Sequence, residues 1–139
     1  MNTRHMWLSL SVAVGFVVVA ASAAGESVGD SVKPNFSHVI PKVPDKSLIA
    51  VEVFYPPGGV SLPHRHAHSA FIYAYVVSGR VVSHVEGRPE QTYGPGESFY
   101  EMPGAHHLVS RNASTTQPAK LLAVFVVDSD DKELTTNDK

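Results

Sequence analysis

The chain has 139 residues, a formal net charge of −2 and no cysteine. That length suits one domain rather than two. The near-neutral charge, with no long basic run, argues against a nucleic-acid partner. Without cysteine there is no disulfide, no thiolate nucleophile and no Cys-based zinc site. Ten Gly, ten Pro and 43% apolar residues fit a turn-rich, folded β protein.

The first two dozen residues have the pattern of a secretory signal peptide. Arg4 and His5 precede an apolar run from Met6 to Ala20, and Ala21-Ser22-Ala23 then offers small residues for cleavage. An uncleaved membrane anchor is the alternative, but the apolar run is short for a full span of about 20 residues. We therefore predict that residues 1–23 are a signal peptide and that the protein is periplasmic or secreted.

The apolar segments after the signal peptide are short, β-rich and punctuated by Gly or Pro. We predict a flexible lead-in over 24–37, one folded domain over 38–128 and a polar, mobile tail over 129–139. No segment keeps a helical period beyond about two turns. Many short strands at this spacing predict an all-β fold, a small antiparallel sandwich or barrel. The strand segments are 47–55, 70–77, 80–85, 97–102, 107–111 and 120–127.

Two of these segments are predicted to pair as a hairpin. Residues 70–77 and 80–85 are separated only by Ser78-Gly79, a short turn signal between two β-rich runs.

Histidines concentrate in two short segments of the chain. His64 and His66 are two residues apart, so on a strand their side chains point to the same face. His106 and His107 are adjacent, and only one of them can face that cavity. Neutral imidazole is the commonest protein ligand for transition metals. The pattern predicts a metal centre closed by a distant histidine, and His68 is a further candidate ligand.

The chain resembles the cupin superfamily in two ordered motifs. The first cupin motif runs Gly, five residues, His-x-His, three or four residues, Glu, six residues, Gly. Here Gly58 is followed by five residues and then by His64-Arg65-His66, and Gly79 is the closing glycine. The resemblance implies a small antiparallel jelly-roll barrel with a metal inside its mouth.

The second cupin motif runs Gly, five residues, Pro-x-Gly, two residues, His, three residues, Asn. Gly96, Met102-Pro103-Gly104 and His107 follow this spacing, and Asn112 lies one position late. Met102 replaces the motif proline, although Pro103 beside it keeps the turn stiff. Counting from either glycine selects His107 rather than His106 as the ligand.

The glutamate of the first motif is missing. The positions it could occupy hold Ala70, Phe71 or Ile72, and no carboxylate lies between Ala67 and Val77. The resemblance therefore implies a set of three neutral ligands, which leaves the charge of a divalent ion uncompensated and more coordination positions open. The three ligands are His64, His66 and His107.

Two charged residues are candidates for a catalytic role. Glu101 shares strand parity with His107 and could be an additional metal ligand, a partner of an imidazole N–H or a general base. The alternative is a rim carboxylate in a surface salt bridge. Arg111 also shares that parity, and it is either a clamp for an anionic substrate or a rim residue.

The leading hypothesis is an exported, metal-dependent enzyme of dioxygenase type that acts on a small oxygenated molecule. Fe(II) is favoured because some cupin dioxygenases use a three-histidine iron centre, and Zn, Ni, Mn, Co and Cu are alternatives. The other hypotheses are a sugar-acid isomerase or lyase, and a non-catalytic periplasmic protein that binds a ligand or metal. A homodimer is a candidate assembly, with 37–43 as a segment that could be exchanged. No nucleic acid is expected as a partner and, after signal cleavage, no membrane.

The signal peptide predicts where the mature chain begins. Mass spectrometry of protein recovered from its native host should find an N-terminus near Ala24 or Gly25, because the small residues Ala21-Ser22-Ala23 direct cleavage there. An intact Met1 end in the membrane fraction would instead identify the segment as an anchor.

Overall fold

The computed structural model describes residues 29–139, so the predicted signal peptide lies outside the described residues. Within that range the chain forms eleven strands. Over the same range there is no helix that could span a bilayer. The strands are β1 (Ser31–Val39), β2 (Lys46–Tyr55), β3 (Val60–Ser61), β4 (His64–His66), β5 (Phe71–Ser78), β6 (Val81–Val85), β7 (Gln91–Tyr93), β8 (Ser98–Glu101), β9 (His106–Asn112), β10 (Ala119–Asp128) and β11 (Thr135–Asn137).

The strands form two antiparallel sheets. The first sheet has the order β1-β2-β10-β5-β8, and the second has the order β11-β4-β9-β6-β7 with β3 also paired to β9. Many neighbours within a sheet are far apart in the chain, as β2 and β10 are. The prediction of an all-β, antiparallel jelly-roll fold is confirmed.

The core lies between the sheets and follows the period-two alternation of the strands. Along β10, side chains are alternately buried and half-buried, with Leu121 and Phe125 pointing inward. Along β5, Ile72, Ala74 and Val76 are buried, and Tyr73 and Tyr75 between them are exposed. Burying one such aliphatic or aromatic side chain contributes about 1.5–3 kcal/mol, so the core selects the register of each strand.

The predicted hairpin between 70–77 and 80–85 does not form. β5 belongs to the first sheet and β6 to the second, and Ser78-Gly79-Arg80 carries the chain from one sheet to the other. A glycine turn suits either path, and crossing between the sheets lets both apolar strands face the shared core. Gly79 has a φ of 71°, and a Cβ at this position would lie 2.4 Å from the carbonyl oxygen of Pro118.

Two edge strands lie in segments for which the sequence predicts no strand. β1 begins at Ser31, inside the predicted lead-in, and all nine of its residues are exposed, so no alternation of burial marks it. β11 lies inside the predicted mobile tail and pairs with β4. Leu134 packs against the core beside it, and its carbonyl oxygen accepts a hydrogen bond from the Ala67 N–H at 3.1 Å.

The turn between the two sheets can be tested by substitution. Gly79→Ala should destabilise the protein by about 1–3 kcal/mol more than Gly87→Ala, because the added methyl group meets fixed backbone at Pro118 and Ala119. Gly87 is a matched control, since its φ is also positive and nothing lies within 4 Å of its missing Cβ. Urea unfolding measures both changes, and equal losses would contradict the steric account.

Candidate metal centre

The pairing of β4 with β9 brings three histidines together. His64 lies directly opposite His107, and His66 follows His64 by two residues on β4. Opposite residues of an antiparallel pair share a face, as do residues two apart on one strand. Each ring offers one nitrogen, and these nitrogens lie within 4.8 Å of one another. These three histidines, which the cupin motifs select, could therefore hold a metal ion.

Glu101 reaches the same place from the other sheet. Its Oε2 lies 3.1 Å from His66 Nε2 and its Oε1 lies 3.3 Å from His107 Nδ1. Only 3% of the Glu101 side chain is exposed. Glu101 is directly opposite Ile72 on β5, and Ile72 occupies one of the positions available to the missing motif glutamate. A carboxylate therefore arrives beside the histidines from the neighbouring strand.

The environment keeps Glu101 ionised. Burial alone would raise the pKa of Glu101, but interactions with the His107 and His66 rings outweigh it and lower the pKa to about 2. A carboxylate this acidic is a poor general base near neutral pH. Its geometry and charge instead suit it to balance a cation or to orient an imidazole.

The His64 ring is set up to bind through Nε2. Burial is the largest cause of a lowered pKa for His64, so the ring is neutral at pH 7. Its Nδ1 lies 2.7 Å from the Leu62 carbonyl oxygen, which can only accept, so Nδ1 carries the hydrogen. The lone pair of Nε2 is then free for a metal, and the carbonyl fixes the orientation of the ring.

The His107 ring has a polar neighbour at each nitrogen. Ser83 Oγ lies 2.8 Å from Nε2, and Glu101 Oε1 lies near Nδ1. With its hydrogen on Nδ1, the ring faces Glu101 with a donor and accepts from the Ser83 hydroxyl at Nε2; with its hydrogen on Nε2, it donates to Ser83 and leaves the Nδ1 lone pair for a metal. The buried Ser83 hydroxyl therefore orients the ring as hydrogen-bond partners of metal-ligating histidines do.

Unpartnered polar atoms test whether this donor set fits a metal. Both ring nitrogens of His66 and Oε2 of Glu101 are buried and have no hydrogen-bond partner among the described residues. His66 Nε2 and Glu101 Oε2 are close, but they are not aligned as a hydrogen bond. A buried polar group without a partner costs about 1–3 kcal/mol. A divalent transition ion would bind one ring nitrogen of His66 and would lie close enough to the Glu101 carboxylate to compensate its charge, so the residues fit such a group.

The three histidines and Glu101 line a cavity of about 430 Å³. Aliphatic and aromatic side chains of both sheets form most of the walls, and the C-terminal strand β11 contributes Thr135 and Asn137 to the lining. The apolar wall residues are Val51, Val53, Ile72, Ala74, Leu121, Ala123, Phe125 and Leu134.

Arg111 is not brought to the site, because β9 contains a bulge. Val85 of β6 is opposite His107, while His84 is opposite Val109, so Leu108 has no partner. The extra residue reverses the alternation, and Ser110 rather than Arg111 shares the face of His107. Ser110 is buried and lines the cavity, whereas Arg111 is absent from the lining. The predicted shared parity of Arg111 and His107 is therefore wrong.

The remaining candidate histidines also lie away from the centre. His68 is exposed after the end of β4, and its Nδ1 approaches Gly104 rather than the other rings. His106 points to the opposite face from His107, where its Nε2 contacts Asp138 Oδ2 at 2.7 Å and its Nδ1 contacts Arg65. Neither histidine joins the group of three.

Sequence reasoning missed a group of hydroxyls at another part of the cavity wall. Tyr55 is fully buried, and burial raises the pKa of its phenol, which stays protonated. Its hydroxyl contacts Ser110 and Ser61, and Ser61 contacts Asp30. No spacing in the sequence marks these residues, because the strand pairing alone brings them together.

The Glu101 environment predicts how the stability of the metal-free protein depends on pH. The folded pKa of about 2 lies below the ordinary 4.5, so the stabilisation is complete above pH 4.5 and is lost as the pH falls toward 2. Glu101→Gln should be less stable than wild type at pH 6, by up to about 3 kcal/mol, and this difference should shrink in acid.

Urea unfolding between pH 6 and 2.5 measures the difference for Glu101→Gln. Glu90→Gln is the matched control because it removes an exposed carboxylate. The prediction is contradicted when the free energy of unfolding of Glu101→Gln differs from that of the wild type by the same amount at every pH in this range.

Comparison with known proteins places this geometry in a family. A model of the cupin domain matches residues 51–125, just over half of the chain. Among curated proteins, none matches the sequence. A solved protein from Thermus thermophilus is 25% identical, with a TM-score of 0.58 over 71% of this chain and 84% of that one.

Two solved enzymes share the fold at lower identity. A DMSP lyase from Ruegeria pomeroyi is 21% identical, with a TM-score of 0.56 over 78% of this chain and 51% of that one. An oxalate oxidase in complex with the substrate analogue glycolate is 20% identical, with a TM-score of 0.57 over 80% of this chain and 59% of that one. The chain thus spans little more than half the length of these enzymes, and 44% of a further DMSP lyase chain. With the family model covering its core strands and the motif histidines gathered in the cavity, the chain belongs to the cupin family.

Proposed function

We propose that this cupin is an exported, metal-dependent enzyme of dioxygenase type that acts on a small oxygenated molecule. One observation carries the metal-dependent part of the proposal. Three histidine rings and the Glu101 carboxylate converge on the wall of a mostly apolar cavity, and the buried nitrogens of His66 there have no hydrogen-bond partner among the described residues. Export rests on the N-terminal sequence pattern.

The residues of the chain have distinct roles in this proposal. His64, His66 and His107 hold the ion, and Glu101 balances part of its charge. The Leu62 carbonyl and the Ser83 hydroxyl hold the rings of His64 and His107 in orientation. The bound metal supplies a Lewis acid and, when it is Fe(II), the means to use dioxygen. Zn, Ni, Mn, Co and Cu remain alternatives to Fe(II), since imidazole suits several of them.

The cavity supports a small-molecule substrate. A volume of about 430 Å³ lies within the usual range for ligand pockets, and its apolar walls would exclude water from a bound ligand. The solved relatives include a DMSP lyase and an oxalate oxidase bound to glycolate, which supports a small oxygenated substrate for this chain as well. We propose that substrate oxygen atoms, from an enol or a carboxylate, face the metal end.

A homodimer stays a prediction, and the outer face of the first sheet supports it. Six aromatic side chains on this face are between 36% and 51% exposed. At about 200 Å² each they expose roughly 500 Å², a large part of the 800 Å² per partner in a standard interface. These residues are Phe36, Phe54, Phe71, Tyr73, Tyr75 and Tyr100.

Metal loading and oxygen uptake test the proposed function. The protein, loaded with Fe(II) without air, should consume oxygen with at least one class among diketones, catechols and sugar acids. His64→Ala/His66→Ala should bind metal more than about 100-fold more weakly and lose this uptake while keeping its β-sheet circular dichroism, because two of three ligands are gone. His38→Ala is the control, since His38 is exposed on β1 of the other sheet.

The same experiment separates the rival functions. Turnover that needs the metal but consumes no oxygen would overturn the dioxygenase assignment in favour of an isomerase or lyase. Stable metal binding without turnover of any class would favour a non-catalytic binding protein. Equal metal affinity in the double variant and the wild type would contradict the proposal that these histidines bind a metal.

A further inference from the structure

A second pair of polar residues repeats the geometry of the histidine pair along the same strands. Ser61 of β3 is directly opposite Ser110 of β9, as His64 of β4 is opposite His107 of β9. The two pairs are three residues apart on each side, but because of the bulge this span of β9 faces only Ser83 to Val85 of β6, which is roughly 7 Å of strand. Both serines are buried and line the cavity that contains the histidines.

The hydroxyls of this second pair belong to a chain of hydrogen bonds. Ser61 Oγ donates to Asp30 Oδ2 at 2.5 Å, because an ionised carboxylate can only accept. Tyr55 Oη lies 3.2 Å from Ser61 Oγ and 2.7 Å from Ser110 Oγ. With the Ser61 hydrogen directed to Asp30, the cooperative arrangement has Tyr55 donating to Ser61 and Ser110 donating to Tyr55.

This arrangement leaves an acceptor on the cavity wall. Each O–H of the chain is already used, so Ser110 Oγ can offer only lone pairs to a ligand. Asp30, at the other end, adds a carboxylate to the lining. Asn112 provides a contrast, since its side-chain amide donates to backbone carbonyls and accepts from the Ser114 N–H and so has a structural role.

We propose that the hydroxyl cluster, defined as Tyr55, Ser61, Ser110 and Asp30, is a second binding subsite that accepts a hydrogen bond from the far end of the substrate. The proposal rests on the proposed function, in which substrate oxygens face the metal end. The substrate class is then a carboxylate or enol with a hydroxyl or ammonium group at its other end and an apolar middle that suits the cavity walls.

The separation of the two ends limits the length of the substrate. The two pairs are roughly 7 Å apart along the strands, so a substrate that reaches both of them is short. At roughly 1.5 Å per bond this distance corresponds to about five bonds, which an acid of about four to six carbon atoms provides in an extended or bent form. Aliphatic acids of this length with a terminal hydroxyl or ammonium group are therefore the probes to use.

Calorimetry on Zn(II)-loaded protein measures this preference without redox turnover. The probes are hexanoate, 6-hydroxyhexanoate, 6-aminohexanoate and 5-methoxypentanoate, each with and without the metal. The hydroxy acid should bind about 5–10-fold more tightly than hexanoate, the value of one net hydrogen bond. The methoxy acid, which can only accept, should gain nothing. Comparing 6-aminohexanoate with 6-hydroxyhexanoate shows whether the site binds a terminal ammonium group as well as a terminal hydroxyl group.

Substitutions then show which residues cause the preference for the hydroxy acid. Ser110→Ala should remove the advantage of the hydroxy acid and leave hexanoate binding unchanged. Tyr55→Phe keeps the shape and frees the Ser110 hydrogen, so the methoxy acid should gain affinity relative to hexanoate. This second variant covers the case in which Ser110→Ala does not fold. Ser98→Ala is the control because Ser98 is exposed on β8.

The outcomes distinguish this inference from the proposed function. Metal-dependent binding of all acids with no preference for the hydroxy acid would overturn the subsite and leave the metal centre in place. A preference for the hydroxy acid that survives Ser110→Ala, or a methoxy acid that gains no affinity in Tyr55→Phe, would also overturn it. Failure of every acid to bind in a metal-dependent way would overturn both proposals.

Discussion

A carboxylate with 3% of its surface exposed must be matched by cations or donors, since burying an unpaired charge costs several kcal/mol. Glu101 of β8 contacts the rings of His66 and His107, which belong to the opposite sheet, and its Oε2 still has no hydrogen-bond partner among the described residues. The same contacts therefore join the two sheets and assemble the ligand set. A metal at this point would connect the sheets further, so the site and the stability of the barrel depend on the same side chains.

The position of Glu101 allows it to replace the missing motif glutamate as the carboxylate beside the histidines. Ile72 and Glu101 are opposite each other on neighbouring strands, so a carboxylate at either position enters the same part of the cavity. Three neutral histidines would leave a divalent ion with two uncompensated charges. With Glu101 one charge remains, and a singly charged carboxylate substrate would neutralise it. In a cavity of low dielectric, this balance favours an anionic oxygen ligand over a neutral one.

The sequence was enough to predict the fold class and the three histidines. The two-residue spacing of His64 and His66 predicts that both side chains point to one face of a strand. The number of residues between the motif glycines and His107 predicts that His107 joins them, because this segment is a tight turn followed by a strand. The choice between Ser110 and Arg111 could not be predicted, since the bulge at Leu108 depends on how β9 pairs with β6. The sequence of β9 itself does not indicate which residues of β6 it pairs with.

The missed connections have a similar cause. The turn at Gly79 is compatible with a hairpin and with a crossing between sheets, and only the burial of both strands in one core decides between them. β1 and β11 are edge strands with exposed residues, so their backbone pairing leaves no hydrophobic pattern. Prediction from periodicity succeeds where a strand has a buried face and fails where pairing alone defines the strand.

The bulge that misled the prediction also organises the cavity. The residue pairs His64–His107 and Ser61–Ser110 are three residues apart on both strands, a spacing that would place them on opposite faces of regular strands. The bulge in β9 and the break between β3 and β4 bring both pairs to the inner face. One strand ladder thus presents imidazoles at one level and hydroxyls at another. Substitutions at the hydroxyl level can change what the cavity accepts without disturbing the histidines, which separates selection of a ligand from the chemistry performed on it.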